Sequence, residues 1–212
     1  MRYRDRHHAG ELLGAELVGL QPSDPVVYGL PRGGVPVAFE VARALRCALD
    51  VLVVRKVGVP SQPELAMGAV AEGDVVVRNE EVIDLARISD EEFAAVADRE
   101  RHELEQRVAR YRADAGQISP QGHTAIVVDD GLATGSTASA AVEVARAQGA
   151  SEVWLAVPVA PLAPLGELEE RADRLVVLSR PRDFGAVGIW YRDFSQTTDE
   201  EVRDLLAESR LA

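Results

Sequence analysis

Ala125-Ile126-Val127-Val128-Asp129-Asp130-Gly131-Leu132-Ala133-Thr134-Gly135-Ser136-Thr137 runs from an apolar stretch into two adjacent carboxylates and then into a small, hydroxyl-rich turn. Apolar β-formers bounded by turn residues read as a buried strand. The residues that follow, Ala138 to Ala145, read as a helix. The carboxyl end of a parallel strand and the amino end of the next helix therefore meet between Asp129 and Thr137. Open α/β sheets bind their ligands at such junctions.

The two halves of this junction suit different chemical groups. Thr134, Gly135, Ser136 and Thr137 offer free backbone N–H groups, hydroxyls and close backbone approach, which fits a phosphate at a helix start. The helix dipole supplies only about 0.3–1 kcal/mol, so hydrogen bonds must carry most of the affinity. Asp129 and Asp130 repel a phosphate and need another partner. Vicinal sugar hydroxyls or a hard divalent cation fit them. A sugar phosphate satisfies both halves.

Ile126 to Thr137 closely resembles the phosphoribosyl diphosphate signature of the type I phosphoribosyltransferases: four apolar residues, two acidic ones, then a Thr-Gly-x-Thr loop. The resemblance implies that Asp129 and Asp130 hold the ribose 2- and 3-hydroxyls, directly or through magnesium. It implies that Ala133, Thr134, Gly135, Ser136 and Thr137 cradle the 5-phosphate. Hypoxanthine–guanine members carry a general acid/base aspartate where this chain has Ala133. The form found here looks more like the adenine and uracil branches, which argues against a 6-oxopurine acceptor.

Two further strand ends carry positive charge. Asp50-Val51-Leu52-Val53-Val54 reads as a buried parallel strand with Arg55 and Lys56 at its carboxyl end. Lys56 is the only lysine among 23 basic residues, in a chain of net charge −12, and a compact ammonium there suits a phosphate. The pair is similar to the end of the second core strand in orotate and adenine phosphoribosyltransferases, where the lysine reaches the diphosphate. Upstream, Pro25 to Leu30 reads as a strand, followed by Pro31-Arg32-Gly33-Gly34 and a helix from about Val35 to Leu45. The glycines allow an anion nest and Arg32 adds a planar fork of donors. In the family this is the diphosphate loop, and the pair matching Pro31-Arg32 often carries a cis bond.

Val153 to Val159 and Leu175 to Leu178 complete the strand set, with a short helix expected from Pro164 to Arg171. The alternation predicts an α/β fold with a mainly parallel sheet flanked by helices. Gly58 to Gln121 departs from that core as a polar, turn-rich insertion with one short strand at Val75-Val76-Val77. The family places a mobile loop here that closes over the reacting sugar, with Glu64 and Glu72 as candidate contacts. Ser89 and Glu92 form a capping box opening a charged helix to about Ala113. Its Glu100, Arg101, Glu103 and Arg107 read as a solvated face, and the helix as a packing or subunit-contact element. A second capped helix is expected from Thr198 through Leu206.

Arg180 to Phe194 concentrates aromatics in a chain only 5% aromatic, and a flat heterocycle needs an aromatic face. The stretch resembles the phosphoribosyltransferase hood, a small subdomain built from both termini. By that likeness Trp190 or Tyr191 stacks on the base and the backbone near Val187 reads its edge. The same aromatics also suit the core of that subdomain. The expected layout is one phosphoribosyltransferase-like domain over 1–212. Its core covers about 22–180, the inserted loop and helix 58–121, and the hood about 1–21 and 181–212.

Composition narrows the function classes. The acidic balance argues against nucleic-acid binding. No run reaches the roughly 18 apolar residues of a membrane span. The opening residues lack an apolar h-region, and the lone Cys47, expected on a core-facing helix, forms no internal disulfide, so a cytoplasmic home is expected. His7 and His8 read as surface residues. The implied reaction transfers ribose 5-phosphate from phosphoribosyl diphosphate to a nitrogenous base or amine, with magnesium, in a homodimer. The alternatives are a regulatory protein that binds phosphoribosyl diphosphate or a nucleotide without turnover, and a diphosphokinase-like relative.

Overall fold

The computed structural model describes residues 2–112, 116–163 and 166–211. Five strands form a parallel sheet: β1 (Pro25–Gly29), β2 (Ala48–Val51), β6 (Thr124–Val128), β7 (Glu152–Val159) and β8 (Arg174–Ser179), in the order β2-β1-β6-β7-β8. Its strands are apolar on both faces because helices cover both. On one face lie α1 (Arg6–Leu20), α2 (Gly34–Leu45) and α7 (Asp199–Ser209), packed through Leu13, Leu17, Val35, Val202 and Leu206. On the other lie α5 (Ser136–Ala147) and the short α6 (Glu167–Arg171), packed through Ala141, Val144 and Leu168. From β1 the chain crosses to β2 on one side, while β6 lies on the other, so the β1/β6 boundary is the topological switch point. Such a crevice, at the carboxyl ends of two neighbouring strands, is where α/β sheets take ligands.

A separate three-stranded antiparallel sheet joins β3 (Val54–Val59), β4 (Gln62–Ala71) and β5 (Val75–Arg78). The expected strand through Val54 is thus two strands. The sheet strand ends at Val51, Leu52 and Val53 cross between sheets, and Arg55 and Lys56 lie inside β3. Pro60 and Ser61 make the turn into β4, so the polar stretch expected as a loop is largely a ten-residue strand. Over this sheet lie α3 (Glu80–Ala86) and the first half of α4 (Asp90–Arg112), through Ile83, Phe93, Val96 and Ala97. The capping box at Ser89 forms both hydrogen bonds: Ser89 N to Glu92 Oε2 at 3.0 Å and Glu92 N to Ser89 Oγ at 3.2 Å. Likewise Glu201 N donates to Thr198 Oγ1 at 3.0 Å at the start of α7. Ala113 and Pro164, expected at helix boundaries, lie outside the described residues.

Helix α1 has no clear amphipathic pattern, because its buried face mixes Leu13 and Leu17 with the small residues Ala9, Gly10 and Gly14. A Cβ on Gly10 would sit 2.6 Å from the Val37 carbonyl oxygen, and one on Gly14 would sit 2.7 Å from Ala44 Cβ. Both glycines are required for the α1–α2 backbones to approach this closely. Cys47 lies in the connection between α2 and β2 rather than on a helix, and burial pushes its thiol up to about 11, against a hydrogen bond with the Val27 backbone that lowers it. His7 Nδ1 bonds Glu40 Oε1 at 2.9 Å, and His8 Nδ1 accepts from Arg4 N at 3.2 Å. Among the described residues no helix is long and apolar enough to cross a membrane.

Candidate active site

The loops after β1 and β6 meet across the switch point. Leu30 N donates to the Val128 carbonyl at 2.9 Å, which ties the two strand ends together. The Pro31–Arg32 peptide is cis, as the family resemblance implied. Gly33 then lies directly against the aspartate pair: a Cβ there would overlap Asp130 Oδ2 and lie 2.9 Å from its Cγ. A Cβ on Gly34 would meet the Val128 carbonyl oxygen at 2.6 Å and Asp129 Cα at 2.9 Å. Both positions need glycine for proximity, not for backbone angle.

That packing gives a sharp expectation for Gly33→Ala. The new methyl group displaces the Asp130 carboxylate, while a backbone at φ −62° and ψ −30° accepts alanine without strain. A charge-assisted hydrogen bond contributes about 1.5–3 kcal/mol, so a ligand of that carboxylate should bind about 10–100-fold more weakly. Titration of phosphoribosyl diphosphate into the variant, alongside a thermal melt, checks this. An unchanged affinity would show that Asp130 does not face the ligand.

The carboxylates sit in different settings. Asp129 Oδ1 accepts from Asp130 N at 2.9 Å. Burial holds the Asp129 carboxyl well above the usual carboxylate range, and the neighbouring Asp130 charge adds to the effect. Burial also raises Asp130, countered by Arg6. Arg6 Nε bonds Asp130 Oδ2 at 2.8 Å, its Nη1 donates to the Ser195 carbonyl at 2.7 Å, and its guanidinium lies 3.9 Å from the Phe194 ring centre. Only 11% of the Arg6 side chain is exposed. Nothing in the sequence singled out Arg6, one of several arginines in the opening run, because its partners lie more than a hundred residues away.

The phosphate-suited turn has the expected form. Gly135 adopts φ +72° just before α5, the helix start carries no side-chain cap, and Thr134 Oγ1 lies 3.3 Å from Ser136 Oγ. Ala133, Thr134 and Thr137 are exposed, leaving the first N–H groups of α5 open to an anion. Lys56 reaches this turn from β3, with Nζ donating to Ser136 Oγ at 3.3 Å. Arg55 turns instead to Glu100 of α4, with its Nη2 2.6 Å from Oε2. Arg32 Nη1 stands 3.7 Å from Asp199 Oδ1 at the start of α7.

The carboxyl-terminal aromatics divide. Tyr191 is 4% exposed, its ring lies 5.3 Å from Tyr3 and 5.1 Å from Phe194, and its hydroxyl donates to the Asp130 carbonyl at 2.6 Å. Burial raises its phenol far above the ordinary value. Tyr191 therefore supports the aspartate loop from behind, and both faces are closed to a stacking base. Trp190, half-buried with Nε1 donating to the Phe184 carbonyl at 2.9 Å, keeps an open side. Val187 starts a single 3-10 turn (Val187–Trp190) and packs over Gly131, where a Cβ would come within 2.7 Å of Val187 Cγ1.

Beyond Pro31 and Thr137 opens a cleft of about 460 Å³, between β3 and α4, with Lys56, Glu64, Arg107 and Tyr111 in its walls. Helix α4 packs as the sequence suggests, through Phe93, Val96 and Ala97, and also lines the cleft. Glu100 turns inward to Arg55, whereas Glu103 and Arg107 stay exposed, with Arg107 at the cleft's edge. Glu64 lines it too, whereas Glu72 bonds Arg112. Among the described residues no three His, Cys, Asp or Glu side chains gather as a metal cage. Two adjacent hard-oxygen donors at Asp129 and Asp130 nonetheless suit magnesium, which takes one or two carboxylates and draws its other ligands from water and substrate phosphates.

This geometry has close parallels. Residues 9–189 match the model of the phosphoribosyl transferase domain. A Mycobacterium tuberculosis protein provisionally named a phosphoribosyl transferase is 48% identical over 200 residues, covering 94% of this chain and 45% of that protein. The chain thus spans about half the length of the curated relatives it matches. The Kineococcus radiotolerans adenine phosphoribosyltransferase is 44% identical over 79 residues, covering 37% of this chain and 42% of its own. The crystal structure of the Thermus thermophilus protein TT1426 superimposes with a TM-score of 0.91 at 46% identity, over 98% of this chain and 99% of that one. The chain belongs to the phosphoribosyl transferase domain family.

Proposed function

We propose that the protein transfers ribose 5-phosphate from phosphoribosyl diphosphate to a nitrogenous base or amine and releases diphosphate. The observation that carries this reading is the packing of Gly33 against Asp130, which brings the anion nest of one strand end onto the carboxylates of the next. Asp129 and Asp130 take the ribose 2- and 3-hydroxyls, and Ala133 to Thr137 wrap the 5-phosphate with open N–H groups and hydroxyls. Lys56, Arg32 and the N–H groups of Gly33 and Gly34 hold the diphosphate. Val187 and Trp190 flank the acceptor's position. A single domain with its base-binding residues drawn from both chain ends, acting as a cytoplasmic homodimer, is the form proposed.

The chemistry follows from these placements. Breaking the bond to diphosphate leaves an oxocarbenium-like ribosyl centre, as in glycoside cleavage. Catalysis then rests on stabilising the departing anion and positioning the acceptor. Lys56 and Arg32 supply positive charge at the leaving end, while Asp129 and Asp130 fix the sugar from the opposite side. Magnesium, held by these carboxylates and by substrate oxygens, would neutralise part of the diphosphate charge. Ala133 offers no proton-transfer group at the position where hypoxanthine–guanine members carry one, and the partial match to an adenine enzyme is consistent with that.

The test is a magnesium-dependent diphosphate-release assay with phosphoribosyl diphosphate and a panel of bases and amines. Release that needs both an acceptor and magnesium is expected. Tight binding of phosphoribosyl diphosphate with no turnover for any acceptor would refute catalysis and leave the regulatory reading in its place.

A further inference from the structure

We propose that helix α4 completes the diphosphate site, with Arg107 as a cation additional to Arg32, facing Lys56 across the cleft. The residues of α4 that line the cleft, Val96, Arg99, Glu100, Arg107 and Tyr111, follow one another at helical spacing and make one stripe. The cleft starts at Pro31 of the anion-nest loop and at Thr137 beside the phosphate turn, so its near end is where a diphosphate leaves the sugar. The inference rests on the proposed reaction only for the identity of that anion.

Charge pairing separates Arg107 from most of its neighbours. Arg55 is bound to Glu100, Arg32 faces Asp199, and Arg6 is bound to Asp130. Arg107 makes no ion pair or hydrogen bond to another described residue, although Glu103 stands four positions earlier on the same helix, at the spacing that favours a pair. Among the described residues Lys56 likewise has only the Ser136 hydroxyl. The cleft walls also hold Glu64 and the Arg55–Glu100 pair. In a chain with 35 acidic residues, Lys56 and Arg107, the two of its cations that no carboxylate pairs, mark a place suited to an external anion.

Arg107 lines the same cleft as Pro31 of the diphosphate loop. Burial raises the Tyr111 phenol and Asp199 raises it further, while Arg107 and Arg32 act on it in the opposite direction. Tyr111 lines the cleft with Arg107 and feels both arginines. A diphosphate resting near Pro31 meets Lys56 from β3 and Arg107 from α4, and the insertion becomes a wall of the leaving-group site.

Calorimetric titration of inorganic diphosphate with magnesium, on the full chain, tests this without any acceptor. Arg107→Ala is expected to weaken binding about tenfold or more, the size of one lost charge-assisted contact. Arg107→Lys should recover part of the loss. Arg210→Ala, at the far end of α7, controls for net charge, and thermal melts control for folding. If Arg107→Ala binds diphosphate as tightly as the Arg210→Ala control, or if the wild-type chain binds none, the assignment is overturned. Arg107-dependent binding in a protein that turns over no acceptor would keep the subsite and defeat the proposed reaction. Turnover that is indifferent to Arg107 would do the reverse.

Discussion

A chain carrying Asp129→Asn and Asp130→Asn together is expected to bind phosphoribosyl diphosphate at least about a hundredfold more weakly while remaining folded. In the proposed reaction each carboxylate gives a ribose hydroxyl a charge-assisted acceptor, worth about 1.5–3 kcal/mol net. Two such losses correspond to roughly two to four orders of magnitude in affinity. Folding should respond in the opposite sense. Burial and mutual repulsion already disfavour the Asp129 charge, so amides of the same shape relieve a cost. Arg6 loses an ion pair but keeps the Ser195 carbonyl and the Phe194 ring. Titration of the ligand beside a thermal melt separates the two effects. Affinity within a few-fold of wild type would sink the sugar-binding assignment.

Arg112→Ala is expected to destabilise the protein by about 3–5 kcal/mol, the usual cost of stranding a buried charge. Asp50 is wholly buried and Arg112 is 5% exposed. Arg112 Nε bonds Asp50 Oδ1 at 2.8 Å, Nη2 donates to the Val51 carbonyl at 2.6 Å, and Nη1 bonds Glu72. The second Asp50 oxygen accepts from Ile118 N at 2.8 Å. One guanidinium thus pins the last turn of α4 to both sheets. Removing it leaves a carboxylate inside the fold with no counter-charge. Denaturant unfolding followed by circular dichroism measures the loss, and a midpoint shift worth under about 1 kcal/mol would mean that the network contributes little. Replacing Asp50 as well, in Asp50→Asn with Arg112→Met, should recover much of the loss, because the wholly buried charge is gone and only Glu72, 16% exposed, is left without its partner.

Local pattern revealed the parallel sheet and concealed the antiparallel one. Each parallel strand is a short apolar run followed by a turn and a helix, and both signals lie close together in the chain. The boundary after Val51 left no trace, because Leu52 and Val53 are as apolar and as buried as the strands they join. Strand β4 opens with Gln-Pro-Glu and continues through alanines, methionine and glycine, with little of the β-branched content that marks a strand. Its stability comes from pairing with β3 and from Phe93 packing over Gly68. The site divides in the same way. Asp129, Asp130 and the Thr134–Thr137 turn form one contiguous motif, and Gly33 and Gly34 sit in another. Arg6 enters through tertiary contacts, and a single arginine in a charged run has no local signature. Tyr191 shows the converse: an aromatic in the right segment whose position in the fold is structural.

The contact between Arg6 and the Ser195 carbonyl spans 189 positions. Its consequence concerns timing. A chain growing from its amino end makes Arg6 well before the turn around Thr134. The groups that anchor the Arg6 guanidinium, and the Tyr191 hydroxyl that supports Asp130, emerge only later still. Until then Asp130 has neither its counter-ion held in place nor its backbone braced. Sheet and helices can therefore form on a nascent chain while the loop that carries Asp130 stays unfinished, and its final arrangement arrives after most of the parallel sheet is made.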